Sequence, residues 1–176
     1  MNTIITILLV LAGIISLLLT FALFKTKKHY VKCEIVINAP RQKVFDYVKL
    51  LKNQDEFNKH AMASPDREKK FKGTDGTVGY IYSWSGNKDA GVGEKEILGI
   101  VDGKKIEAEI RFVKPMAATA RMIMETESLS DNQTKVYWSN AGILKYPFNI
   151  LIPMVEKSVK KDMDISLTTL KSILEK

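Results

Sequence analysis

The chain has 176 residues, a length that suits one domain with a modest appendage. Lys and Arg outnumber Asp and Glu by 27 to 20, a net charge of +7, but the lysines are dispersed and no run interleaves them with aromatics, which argues against a nucleic-acid surface. One cysteine, Cys33, permits no internal disulfide and suits a reducing compartment, and the two histidines, His29 and His60, lie too far apart in sequence to suggest a zinc motif.

From Ile4 to Phe24 no residue is charged, and the polar ones are Thr6, Ser16 and Thr20. About 20 such residues in a helix cross a hydrocarbon layer of roughly 30 Å. A helix in a protein core would carry a polar face, and this segment has none. A cleaved signal peptide would carry a charged start, an apolar run of about 7–15 residues and a small-residue cleavage site. Met1-Asn2-Thr3 is uncharged in its side chains, and the run ends Leu23-Phe24-Lys25, so the segment reads as an anchor. Lys25, Lys27, Lys28 and Lys32 crowd its C-terminal flank. The positive-inside rule then keeps the following domain on the cytoplasmic face of the cell (inner) membrane, as a single-pass protein. The same lysines suit contact with anionic lipid, at about 1 kcal/mol per basic residue near the surface. Residues 1–28 are thus the anchor with its basic flank, and 29–176 the domain.

Val31, Cys33, Ile35 and Ile37 alternate with polar residues and predict a strand. Ala39-Pro40 ends it, and Val44, Phe45, Val48 and Leu51 then recur at helical spacing. Asn53 to His60 reads as a second short helix or a turn, with Phe57 as its buried contact. The pattern becomes β from about Arg67. Val78, Tyr80, Tyr82 and Trp84 share one face of a strand, beyond Gly73, Gly76 and Gly79. Gly86–Ala90 is a loop, and Val92–Val101 the next strand. Asp102-Gly103 is a hairpin signal. In the following strand Ile106, Ala108, Ile110 and Phe112 oppose Glu107, Glu109 and Arg111. Ala118–Leu129 and Lys135–Gly142 form a second hairpin. The C-terminal stripe Leu151, Val155, Val159, Met163, Leu167, Leu170 and Leu174 predicts a long helix that begins near Pro153.

The order is strand, two short helices, about six antiparallel strands and one long helix: an α+β fold in which the helix covers one face of a curved sheet. Such a curved sheet can leave a cavity beneath the helix.

Ile35-Val36-Ile37-Asn38-Ala39-Pro40 running into Val44-Phe45-Asp46-Tyr47-Val48 carries a resemblance, with Trp84-Ser85-Gly86, Gly91-Val92-Gly93-Glu94 and Arg111-Phe112-Val113-Lys114-Pro115. Thr134-Lys135-Val136-Tyr137-Trp138 and the ending Leu167–Leu174 extend it over roughly residues 30–176. These patterns resemble the helix-grip (SRPBCC) superfamily of START and Bet v 1 type domains, and within it the polyketide cyclase/dehydrase and lipid-transport branch. The resemblance implies a binding cavity for a hydrophobic small molecule or lipid. One departure is that Asn53–His60 lacks the Trp many relatives carry after the first helix, and has Phe57 alone.

Candidates for the pocket wall are Tyr80, Tyr82, Trp84, Ala108, Ile110, Phe112, Met122, Met124, Trp138 and Phe148, with Tyr146. Met adapts to irregular ligands, and Tyr and Trp add a polar tip to an apolar wall. No catalytic set stands out. His29 lies in the tether, His60 reads as a surface or capping residue, and Glu107, Glu109, Glu125 and Glu127 read as a solvated sheet face. Gly91-Val92-Gly93 has Glu96 where a dinucleotide fingerprint needs its third glycine. No metal or cofactor is implied. A cyclase or dehydratase would require an acid or base in the cavity, and a protein-interaction module of the Hsp90-activator kind would have a filled one.

A reporter fused after Lys176 is expected to be active only in its cytoplasmic form. Lys25→Glu, Lys27→Glu and Lys28→Glu together should weaken that bias, and activity of a periplasm-dependent reporter would overturn the orientation.

Overall fold

A computed structural model describes residues 2–87 and 91–176; the expected Gly86–Ala90 loop therefore lies partly outside the described residues. Helix α1 (Thr3–Phe24) leads into strand β1 (Lys28–Ile37), helix α2 (Arg41–Val48), a 3-10 turn (Leu51–Asn53) and the single-turn helices α3 (Gln54–Phe57) and α4 (Lys59–Met62). Strands β2 (Glu68–Lys72), β3 (Ile81–Ser85), β4 (Val92–Val101), β5 (Lys105–Lys114), β6 (Ala118–Ser130) and β7 (Gln133–Ile143) follow. A second 3-10 turn (Phe148–Leu151) and helix α5 (Ile152–Leu174) end the chain.

The seven strands form one antiparallel sheet in the order β1-β7-β6-β5-β4-β3-β2. The first strand pairs with the last, and the two edges of the sheet are β1 and β2, which follow one another in the chain with the short helices between them. Alternation decides the faces. Ile106, Ala108 and Ile110 are buried on the inner face, while Arg111 on the outer face pairs with Glu94, Glu96 and Glu109 at 2.6–2.8 Å. The solvated outer face read from the glutamates is thus a network of ion pairs. A bulge between Ile97 and Gly99 lets β4 bend over β5.

Met163, Leu167, Leu170 and Leu174 of α5 are buried against the inner face. The helix runs along β1, where Lys171 Nζ donates to the Val36 carbonyl at 2.8 Å and the Tyr30 N–H donates to Glu156 Oε1 at 3.1 Å. Pro153 stands in the first turn of α5, where its missing N–H costs nothing. Val44, Val48, Leu51 and Phe57 join the core between α5 and the sheet.

The expected strand over 78–84 begins only at Ile81. Gly73, Gly76 and Gly79 take φ of 87°, 77° and 84°, which other residues rarely adopt, and so hold 73–79 in a turn. Asp75 fastens that turn by accepting the N–H of Leu51 at 2.8 Å and of Lys52 at 3.0 Å. Val78 consequently points to solvent, whereas Tyr80 is buried.

Helix α1 is long and apolar enough to cross a membrane. Ala22 is its one buried residue, so the core of the domain is complete without it.

Met122 and Ala108 have no exposed surface, whereas Phe112 is 40% exposed. Met122→Ala is expected to cost about 2–5 kcal/mol and Ala108→Phe about 1–3 kcal/mol. Phe112→Ala, which gives up an edge contact with Trp84, should cost no more than about 1.5 kcal/mol. Guanidinium unfolding of the three variants checks the order.

Candidate functional site

Register brings the inner-face residues into rows that cross the sheet. One row runs Ile97, Ala108, Met122, Asn140 and Val31. The next runs Phe71, Tyr82, Lys95, Ile110, Ala120, Gly142 and His29. The last runs Lys69, Trp84, Gly93, Phe112 and Ala118.

Burial falls from row to row. Ile97, Ala108 and Met122 are sealed at 0% exposure; Tyr82, Ile110, Ala120 and His29 retain 5–8%; Phe112 reaches 40%. Along α5 the inward stripe goes from sealed Leu170 and Leu167 to half-buried Val159 and Val155, and only Ile152 in its first turn is buried again. The packing between helix and sheet is therefore tightest at the α2 end and loosens around Val155, Val159 and the Tyr82 row, toward the end where α5 begins. Two surface hollows, of about 480 and 250 Å³, lie elsewhere. The first sits between Arg41 and the outer residues Lys105, Glu127 and Tyr137; the second is beside Ser83, Ser85 and Glu94.

Of the residues expected to line a pocket, Tyr80, Tyr82, Trp84, Ala108, Ile110, Met122, Met124 and Trp138 share the inner face. Tyr80, Ala108, Met122 and Met124 are enclosed by other side chains, as is Trp138, which pairs with Met124 and meets Phe57 at the closed end, whereas Tyr82, Trp84 and Ile110 stand nearer the opening. Phe112 is at the rim, two residues before the end of β5, with its ring edge-on to Trp84 and 40% of its surface exposed. Phe148 and Tyr146 belong to the segment between β7 and α5 and are 48% and 39% exposed, outside the space beneath the helix. Trp84 lies across Gly93: a Cβ there would meet the indole Cζ2 at 2.6 Å.

The row just inside the opening contains polar groups that the sequence reading did not single out. Tyr82 donates its hydroxyl to Asp55 Oδ1 at 2.6 Å and accepts from Arg67 Nη2 at 2.8 Å. Asp55 also pairs with Lys69 at 2.9 Å. Lys95 donates to Gln54 Oε1, and Gln54 Nε2 donates to the Met122 sulfur at 3.7 Å. Three cations thus face one carboxylate around an apolar wall. Burial, reinforced by the Arg67 charge and opposed by Asp55, pushes the Lys95 ammonium down to about 8, so at neutral pH it remains mostly protonated. Burial raises the Tyr82 phenol to about 12. Tyr80 Oη, Trp138 Nε1, Arg67 Nε and His29 Nδ1 are buried without a hydrogen-bond partner among the described residues. Burial lowers the His29 pKa against the pull of Glu156. An apolar wall with donors of this kind can hold the body of a hydrophobic molecule and hydrogen-bond a polar or anionic head.

One signal for Lys95 was present in the sequence: it alternates in phase with Gly93 and Ile97, which puts it on the inner face. Asp55, Gln54 and Arg67 carried none, since they approach from the single-turn helix α3 and from the loop before β2. His60 is on the surface, with Nε2 3.0 Å from Asp162 Oδ2. Burial pushes the Cys33 thiol up to about 11, which leaves it an unreactive core residue. Among the described residues no cluster of His, Cys, Asp and Glu fit for a metal is found.

The fold is the helix-grip fold. Ara h 8.0201 superposes with a TM-score of 0.60 at 14% identity, covering 84% of this chain and 97% of that one. The Aha1 dimer from Colwellia psychrerythraea gives 0.55 at 14% identity, over 83% and 96% of the two chains. Norcoclaurine synthase from Thalictrum flavum, solved in complex with dopamine and hydroxybenzaldehyde, gives 0.63 at 11% identity, over 86% and 89%. No family model and no curated protein sequence matches the chain.

Lys95 loses its proton more readily in the folded state than at its ordinary value of 10.5. Between about 8 and 10.5 the unfolded chain therefore holds more protons, and stability should rise with pH across that window. Lys95→Met is expected to flatten the rise, as measured by denaturant unfolding at pH 7.5 and 9.5 on both proteins.

Proposed function

We propose that the protein is a membrane-anchored binding domain for a hydrophobic small molecule or lipid, taken up between the sheet and α5. In this reading α1 spans the inner membrane and the domain lies on its cytoplasmic face. The observation that carries the binding reading is the graded opening of the inner face, with Tyr82, Lys95 and Arg67 placed just inside it. The apolar body of the ligand lies along Ile110, Trp84 and Phe112. A carboxylate or phosphate head is held near Lys95 and Arg67, where three cations outnumber Asp55 and charge-assisted hydrogen bonds form in a shielded place. The norcoclaurine synthase complex lends this the precedent of small aromatic molecules bound on the same fold. A protein-interaction role is the second reading, favoured by the sealed Ile97–Met122 row, which leaves room for a ligand only near the opening.

The segment 29–176 is expected to unfold cooperatively on heating without detergent, because α1 contributes only Ala22 to the buried interior. In that segment a fluorescent fatty acid should bind, and Lys95→Met should weaken it by about tenfold or more, the usual consequence of losing a hydrogen bond to a charged group. Ile110→Trp, which narrows the opening, should abolish binding with the fold retained. Failure of the unaltered segment to bind would put the interaction reading ahead.

A further inference from the structure

The end of the domain at which the crevice opens is also the end from which α1 departs. β1 starts there at Lys28, β7 ends at Ile143, β5 ends at Lys114 and β6 starts at Ala118, since Lys28 pairs with Ile143, Ala120 with Gly142, and Phe112 with Ala118. Helix α1 is fastened to this end. Asn149, 1% exposed, donates its side-chain amide to the carbonyls of Ala22 at 2.7 Å and Lys25 at 3.0 Å, and the Leu144 N–H donates to the Lys27 carbonyl at 2.8 Å. The segment between β7 and α5 is thereby held at the depth where the apolar helix ends.

That segment is dressed for an interface. Tyr146, Phe148, Leu151 and Met154 are 39–62% exposed, and Val113, at the end of β5, and Met116, in the turn after it, are 57% and 45% exposed. Lys25, Lys27, Lys28, Lys114 and Lys145 are exposed among them. Residues 21–33, 112–118 and 141–155 contain no Asp or Glu. Exposed apolar and aromatic side chains with lysines and without carboxylates match the boundary of a bilayer that contains anionic lipid: the rings and methyl-bearing groups enter the headgroup region, and the ammonium groups meet phosphate.

We infer that this end of the domain, formed by residues 144–154 and 112–117, rests in the interfacial layer of the bilayer that α1 crosses, so that the crevice opens onto lipid and not onto the cytosol. The inference rests on the reading of α1 as a membrane span. It gives the hydrophobic ligand a route that avoids water, and it commits the ligand source to the membrane.

The test uses the full chain in vesicles of phosphatidylcholine and phosphatidylglycerol. Single thiols introduced as Met154→Cys, Met116→Cys, Val101→Cys and Leu17→Cys are labelled with an environment-sensitive fluorophore; Cys33 is buried and stays unlabelled. Val101, at the opposite end of the sheet, is 48% exposed and serves as the solvent control, and Leu17 reports on α1. Labels at Met154 and Met116 should be blue-shifted and quenched several-fold by lipids that carry a spin label near the headgroup, whereas the Val101 label should be neither. If Leu17 is quenched but Met154 and Met116 are not, the anchor stands and the inference fails. If Leu17 is not quenched either, the anchor reading fails and takes the inference with it. A blue shift that follows protein concentration without any quenching would assign this surface to a second copy of the chain, which also overturns it.

Discussion

Everything else in this domain depends on the contact between the C-terminal half of α5 and the inner face of the sheet. Met163, Leu167, Leu170 and Leu174 close the space above Ile37, Ile106, Met124 and Val136, and α2 with Phe57 seals the side. Apolar burial of this kind is the dominant favourable term in folding. Once it is satisfied at one end, the other end need not be. The first turns of α5 can remain half-exposed, and a domain of this size can tolerate an incompletely closed crevice because its core is complete without it.

The polar groups follow from that arrangement. A lysine on an inner strand face is costly unless it finds partners, and Lys95 finds Gln54 while Asp55 offsets the nearby Arg67 and Lys69. The cluster can exist only because α3 and the loop before β2 fold over this part of the sheet. Its excess of positive charge, set against Tyr82, Trp84 and Ile110, gives the opening an amphipathic character that neither the sealed rows nor the ion-paired outer face possesses. In the proposed function, binding, position at the membrane and the exposed apolar rim belong to one arrangement, a crevice that faces the bilayer α1 would cross.

The strand faces, the long helix and the apolar helix α1 were legible because each is a pattern within one segment. Alternation at Ile106, Ala108 and Ile110 and the four-residue steps from Met163 to Leu174 report burial directly. Even the start of α5 could be read from Pro153. The turn at 73–79 was misjudged as strand at Val78, because period-two alternation continued through glycines whose positive φ breaks the ladder.

What the sequence determined by itself was local: which segments are helix or strand, which face is apolar, that α1 is long enough to cross a membrane, and the resemblance that named the fold. The tertiary structure alone decided what depends on residues distant in sequence. It placed Phe112 at the rim and Phe148 outside the crevice, since exposure depends on whether another element happens to cover a side chain. It brought Gln54, Asp55, Arg67, Tyr82 and Lys95 into one cluster, and it set Asn149 against the end of α1 across more than a hundred residues of chain. Hydrophobic periodicity reports the environment of a segment, but a site is a meeting of segments, and only the folded chain specifies which of them meet.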